Sequence, residues 1–547
     1  MQSSGGCLVR KFIHRDVMHF AERKVVNPCD EWFLRRSTSG FRPARCHALH
    51  TPEWVGILFL WPGFAGCATV DPSGDFEQAG RIVTERTGVK EVYEPSADDA
   101  VEQKVAELLA DGLTLDESVS VALLNNHGFQ ALFQDIGVSR ADVVQAGLMS
   151  NPSLSMIVQF PEGGGRSKLS VGFAQQIVDL WQIPVRRKVA ETQLEQTLLE
   201  AARRAVELSA EVKTKFHRVL ALQRAEAIAV ENLHLVDESL KLAQARFDAG
   251  ETSQLDFNLV RAASLDASLE LFAAKRDHRV ARIELARALG LSRSDQSLTL
   301  VETTPDGSVT GTNDEQLLMY ALTERLDARA AAFATRAADE ELKRQYMNLF
   351  PNVTVGVEGE RTDRRSLPGR NVLADTARAS VANGGLTAPD IESRAQRDLA
   401  RRQIIDSLLG PSLNITLPIW DQNQAQIAKA RFKALQKRKE YEDLLDTIAL
   451  QVQEALVIAR SAEEQVQFYD DQALPQSESN VDAARRAYRG GEQSVLVLID
   501  AQEELIKLRR SYLETSLSRA VALTELERAV GGRLPAFDEL GKTREPD

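Results

Sequence analysis

Two hydrophobic periods alternate along the chain. In the short segments every second position is apolar. Leu154, Met156, Val158 and Phe160 face one way, and Leu169, Val171 and Phe173 alternate with Ser170, Gly172 and Ala174. Val353, Val355 and Val357 repeat the pattern, followed by Leu413, Ile415, Leu417 and Ile419. A period of two over about eight residues predicts four strands, each with one apolar face and one small or polar face. Elsewhere the period lengthens. Arg186 to Asp248 holds 63 residues without Gly or Pro, with apolar residues at Val189, Leu194, Leu198, Ala205, Leu208, Val212, Val219, Leu222 and Val230. A helix of that length would run about 94 Å at its ordinary rise, which points to a coiled coil or a helical tube. Alanines at 201, 202, 205, 210, 221, 225, 227 and 229 let helices approach on two sides, as the wall of a tube requires. The simpler alternative is an antiparallel hairpin that stabilises a dimer.

Both patterns occur twice, the mark of an internal repeat. The turn "ARFDAGETSQLDFNLV" (Ala245 to Val260) returns 241 residues later as "RAYRGGEQSVLVLIDA", placing Phe247 on Tyr488, Gly250 on Gly491, Glu251 on Glu492, Ser253 on Ser494 and Leu255 on Leu496. Val280–Ala281, Glu284–Leu285, Arg287–Ala288 and Gly290 recur as Val521–Ala522, Glu525–Leu526, Arg528–Ala529 and Gly531, so the returning helix is expected to have one length twice. Upstream the offset is 199, with "NPSLSMIVQF" from Asn151 on "FPNVTVGVEG" from Phe350. The offset changes because the second copy carries an insert, placed at about 361–410, with nine Arg and no Lys. Gly250 and Gly491 permit the positive φ of a helix C-terminus. Glu251 and Glu492 are expected to start the returning helices at the favourable end of the dipole.

Four strands cannot close on themselves, and an unpaired edge in lipid is prohibitive. Either several chains pool their strands or these are edges of a soluble sheet. No run of eighteen apolar residues predicts a spanning helix, so a membrane role must come through a lipid or a β-barrel. A net charge of −13 argues against nucleic acid, whose phosphates need clustered Lys and Arg. Cys7, Cys29, Cys46 and Cys67 all lie in the first eighth of the chain, and the eight His form no HxxxH pair. Neither a metal site, nor a cofactor, nor a nucleophile–base pair is expected, and the chain does not read as an enzyme.

The segment "VGILFLWPGFAG" (Val55 to Gly66) is a short apolar run behind Arg42 and Arg45, the form of an export signal. It ends in "FAGC", which resembles a bacterial lipobox with Phe64 in place of the usual aliphatic residue. Cleavage there would leave Cys67 as a lipidated N-terminus, and Ala68 and Thr69 after it favour the outer membrane. A cleaved secretory signal with an incidental Cys is the alternative. Residues 1–50 read as neither signal nor domain, and a downstream translation start is expected.

A strand pair, a long helix, a glycine turn and a returning helix, all repeated once behind a lipobox, resemble the TolC-like outer-membrane efflux channels over roughly 113–535. "LTLDESVSVALLNN" (Leu113 to Asn126) is similar to the opening helix of that family. "GPSLNITLPIWDQNQAQIAKA" (Gly410 to Ala430) is similar to its crossover from strand to helix, with Trp181 at the corresponding point of the first copy. "NPSLS" after Ala-Gly-Leu resembles the heavy-metal branch. The resemblance implies a mainly α fold with a small β part. Long helical hairpins form a periplasmic tube, and four strands per chain contribute to a trimeric, twelve-stranded outer-membrane barrel. The division that follows is a leader over 1–66, an N-terminal periplasmic or linker segment over 67–112, repeat 1 over 113–300, repeat 2 over 301–535, and a tail over 536–547.

The same resemblance implies a homotrimer docked on a periplasmic adaptor and an inner-membrane pump, exporting drugs or heavy-metal cations. The turns at Gly250 and Gly491, with Ser253 and Ser494, become the closed tips of the tube and the adaptor contacts. Asp256 is expected to bond to Tyr488 as a tip latch, with Gln493 where relatives have Arg. Asp500 matches an acid of the pore constriction, and Val497 stands where another would be. A periplasmic adaptor, or a coiled-coil lipoprotein without a pore, is the rival reading.

Overall fold

The computed structural model describes residues 69–160, 167–291, 298–301, 313–363, 381–382, 384, 405–490 and 492–534. The leader, Cys67, Gly491, the tail after 534 and nearly all of the insert lie outside these residues.

The segment expected as an N-terminal periplasmic or linker segment holds three helical elements. Helix α1 (Ser73–Thr87), a 3-10 turn (Pro95–Ala100) and α2 (Val101–Ala110) bury Val83, Tyr93, Val101 and Val105 against the first repeat. Phe76 and Tyr93 pack on the ring of Phe133. Apolar residues at helical spacing draw these helices onto the core.

Repeat 1 opens with α3 (Leu115–Asn125) and α4 (His127–Ala146). Thr114 and Glu117 form a capping box on α3, two orphan N–H groups being satisfied reciprocally. Strands β1 (Ser153–Gln159) and β2 (Lys168–Gln176) follow, then α5 (Asp179–Asp248) and the returning α6 (Gln254–Ala288). Repeat 2 runs through α7 (Asp314–Glu324), α8 (Leu326–Met347), β3 (Asn352–Asp363) and β4 (Ile405–Thr416). It continues with α9 (Gln424–Phe468), a π turn (Tyr469–Ala473), α10 (Leu474–Arg489) and α11 (Val495–Val530).

Two expected boundaries move, and the two outgoing helices differ. Helix α5 begins at Asp179 and holds Pro184 inside it, so its 70 residues extend about 105 Å at helical rise. The outgoing helix of the second copy is not a second α5: its ladder widens at Tyr469–Ala473, next to Pro475, which has no N–H to donate. The insert shrinks because β3 and β4 pair as far as Asp363↔Ile405, leaving 364–404 between them. The two returning helices do match, at 35 and 36 residues.

The four strands form one antiparallel sheet in the order β1-β2-β3-β4. Its register puts Leu154 opposite Phe173, Phe173 opposite Val357, Met156 opposite Val171, and Val355 opposite Leu413. One face is therefore apolar across all four strands. The other carries Ser155 opposite Gly172, Ser170 opposite Glu360, and Gly356 opposite Ser412, with a Lys168–Glu360 ion pair at 2.7 Å. On that face a Cβ at Gly356 would lie 2.5 Å from the Phe173 carbonyl oxygen, so the backbones there approach too closely for a side chain.

Candidate functional site

The sheet's apolar face is bare. Leu154 is 73% exposed and Leu409 79%, and Met156, Phe173, Val357 and Leu413 are also exposed. β1 and β4 each keep one edge without a partner strand among the described residues. Alternating apolar and polar faces on strands of 9 to 12 residues, as in β2, β3 and β4, fit a tilted bilayer-spanning sheet. Water on that face would be costly. Among the described residues no helix is long and apolar enough to cross a membrane.

At the far ends of the long helices the two hairpin tips show the repeat at atomic level. Glu251 N donates to Arg246 O at 2.9 Å, and Glu492 N donates to Ala487 O at 3.0 Å, the same six-residue closure 241 positions apart. Gly250 has φ 72°, as a helix ending in the left-handed region requires. Its counterpart Gly491 lies outside the described residues. The glutamates do not start the returning helices, contrary to the expectation from sequence; those helices begin at Gln254 and Val495. Their N–H groups close the outgoing ones, and Ser253 and Ser494 are the N-caps. Ser253 Oγ accepts from Asp256 N at 3.1 Å and donates to its carboxylate at 2.8 Å. Ser494 makes no side-chain cap, and Val497, which stands where Asp256 does, offers no carboxylate for its hydroxyl.

The expected latch is not made within the chain. Asp256 is held by Ser253 and, at 3.4 Å, by Thr252, and no Asp256–Tyr488 hydrogen bond forms among the described residues. Tyr488 is instead buried, and the Arg246 guanidinium lies over its ring. Gln493 and Ser494 are exposed, as is Ser253.

Asp500 is exposed on α11, with Val497 and Leu496 exposed a turn nearer the tip. It is not isolated. Glu503, one turn on, has its carboxyl pushed up by burial first, then by Asp500, and by Asp266 and Glu270 across on α6. Glu270 is in turn gripped by both Nη atoms of Arg510, at 2.9 and 2.6 Å. Sequence reading missed Glu503 and Asp266. Their positions one turn from Asp500 and one turn from Glu270 were the available signal, but only the packing of α6 on α11 brings them together. No group of three or more potential metal ligands occurs among the described residues.

With the sheet, the hairpins and the tips in place, the relationships are clear. The family model for outer membrane efflux proteins matches residues 118–291 and 317–532, and the chain belongs to that family. The break between the two matched stretches falls at the junction of the repeats. The cobalt-zinc-cadmium resistance protein CzcC of Cupriavidus metallidurans is 23% identical over 437 residues, covering 77% of this chain and 91% of that protein. The pyoverdine export outer membrane protein OpmQ of Pseudomonas aeruginosa is 24% identical over 451 residues, covering 76% and 85%. The crystal structure of the outer membrane protein VceC from Vibrio cholerae shares the fold, with a TM-score of 0.58 at 16% identity, covering 76% of this chain and 96% of that one. The chain is thus an outer-membrane efflux channel and not an enzyme.

Proposed function

We propose that this chain is the outer-membrane duct of a tripartite efflux system, working as a homotrimer docked on a periplasmic adaptor and an inner-membrane pump. The observation that carries this reading is the four-stranded sheet with one continuous exposed apolar face and two open edges. Three copies give twelve strands, enough to close a barrel without free edges, where one copy cannot. The hairpin tips, with Gly250, Ser253, Gly491 and Ser494, are the adaptor contacts. Cys67 carries the lipid that holds the N-terminus at the membrane. The acids around Asp500 line the narrow end and favour cations, since like charges in a confined mouth attract counter-ions.

Divalent metal cations are the proposed cargo. Support comes from that acidic patch and from the similarity to CzcC, which its name ties to cobalt, zinc and cadmium resistance. The similarity to OpmQ makes siderophore-like compounds the competing cargo. A strain lacking the chain should become sensitive to cobalt, zinc or cadmium and recover with the wild-type protein. Asp500→Asn should restore this resistance only in part. Unchanged metal tolerance in the deletion strain would remove metals as the cargo.

A further inference from the structure

Arg246 sits near the end of α5 in the first repeat, and Tyr488 near the end of α10 in the second. The Arg246 Cζ lies 4.3 Å from the centroid of the Tyr488 ring. The ring is 5% exposed and belongs to a buried tip cluster with Ala243, Val260, Ala484, Val495, Leu498 and Ile499. No carboxylate forms an ion pair with Arg246 among the described residues, so the face of the ring is its electrostatic partner. A guanidinium over an aromatic face within about 6 Å is an attractive arrangement, and it strengthens as water is removed. Here it bridges the two hairpins of one chain. The nearby acid, Asp256, is occupied by Ser253 and Thr252 of its own tip, and Gln493 carries no charge.

We propose that Arg246, acting through the face of the Tyr488 ring rather than through the tyrosine hydroxyl, ties the two hairpins together at the tip and sets how readily the mouth opens. The proposal rests on the channel reading above. The cation comes from the outgoing helix of the first repeat, a position the sequence comparison between the repeats does not mark: Ala487 stands at the equivalent place in the second. The contact joins the two hairpins of one chain and must break if those hairpins part. Losing it therefore favours the open state.

Single-channel recording of the full-length protein in planar bilayers tests this. Arg246→Gln should raise the resting open probability by roughly tenfold, the scale of one partly desolvated cation–π contact. Arg246→Lys, which keeps the charge, should recover most of the closure. Tyr488→Phe should stay as closed as wild type because the ring face remains, whereas Tyr488→Leu should match Arg246→Gln. Tyr488→Phe opening as far as Tyr488→Leu would assign the latch to the hydroxyl and overturn the proposal. An unchanged Arg246→Gln channel would overturn it equally. A wild-type protein that conducts no ions defeats the channel reading itself, a different outcome from a conducting wild type with silent variants.

Discussion

Asn126 donates its side-chain amide to the backbone oxygen of Ala288 at 3.0 Å, fastening the end of α6 to the junction of α3 and α4. The second repeat makes the same attachment with different chemistry. Arg325, 199 positions after Asn126, donates Nη1 to the oxygen of Ala529, 241 positions after Ala288, also at 3.0 Å. Each helix end is thus met by the junction of the two helices that open its own repeat. The glycine that follows each carbonyl pays no penalty for its left-handed φ, which is 74° at Gly290 and 99° at Gly531.

That closeness predicts how the glycines will respond. A Cβ on Gly290 would lie 2.4 Å from the Asn125 oxygen, whereas one on Gly250 would meet nothing within 4 Å. Gly250→Ala should cost only the strain of the left-handed backbone, about 1 kcal/mol. Gly290→Ala must also displace backbone and should cost at least about 2 kcal/mol more. Thermal unfolding of the two purified variants orders them, with Gly290→Ala clearly the less stable.

His217 predicts a pH dependence. It is 8% exposed on α5, and burial, with Lys213 one turn away, lowers its pKa to about 4. Lys213 itself is paired with Glu527 of the second repeat at 2.7 Å. An unfolded His binds a proton near pH 6.5 while the folded one does not, so between those values the unfolded state holds more protons and stability rises with pH. The loss begins as pH falls below about 6.5 and is complete below about 4, amounting to about 3 kcal/mol. His217→Leu should flatten the melting temperature across that window. An equally steep profile in the variant would place the dependence elsewhere.

Much of this architecture is legible in the residues, for physical reasons that also mark the limit. The strands announce themselves because a sheet with two different surroundings forces a period of two, as Leu154, Met156 and Val158 show. The tips are legible because Gly250 alone can take the backbone a helix needs to end there. Contacts between the repeats are another matter. Tyr488 is legible, from its match to Phe247 and from the family resemblance, but nothing local in Arg246 marks it as the cation over that ring. Asp256, expected to bond to Tyr488, is held within the chain by Ser253. The N-terminal helices are missed because 67–112 has no counterpart in the repeat. The break in the second outgoing helix shows only as Pro475 in an otherwise uninterrupted run.

The two faces of the sheet should tolerate charge very differently. Val171 lies on the apolar face and Ser170 on the polar one, adjacent in β2. Val171→Lys should cost about 2–4 kcal/mol of membrane stability if that face meets the bilayer centre and should reduce the folded protein recovered from outer membranes. Ser170→Lys, beside Glu360, should be recovered normally. Equal recovery of both variants would mean that the apolar face does not meet lipid.

Three copies closing one barrel is the central claim, and electron cryomicroscopy of the detergent-extracted, full-length protein tests it most directly. The predicted result is a threefold particle with twelve strands, β1 of each copy paired along β4 of the next, and the six hairpins continuing as one tube. A monomer with the edges of β1 and β4 open, or a particle of another symmetry with the sheet buried against protein, would contradict it.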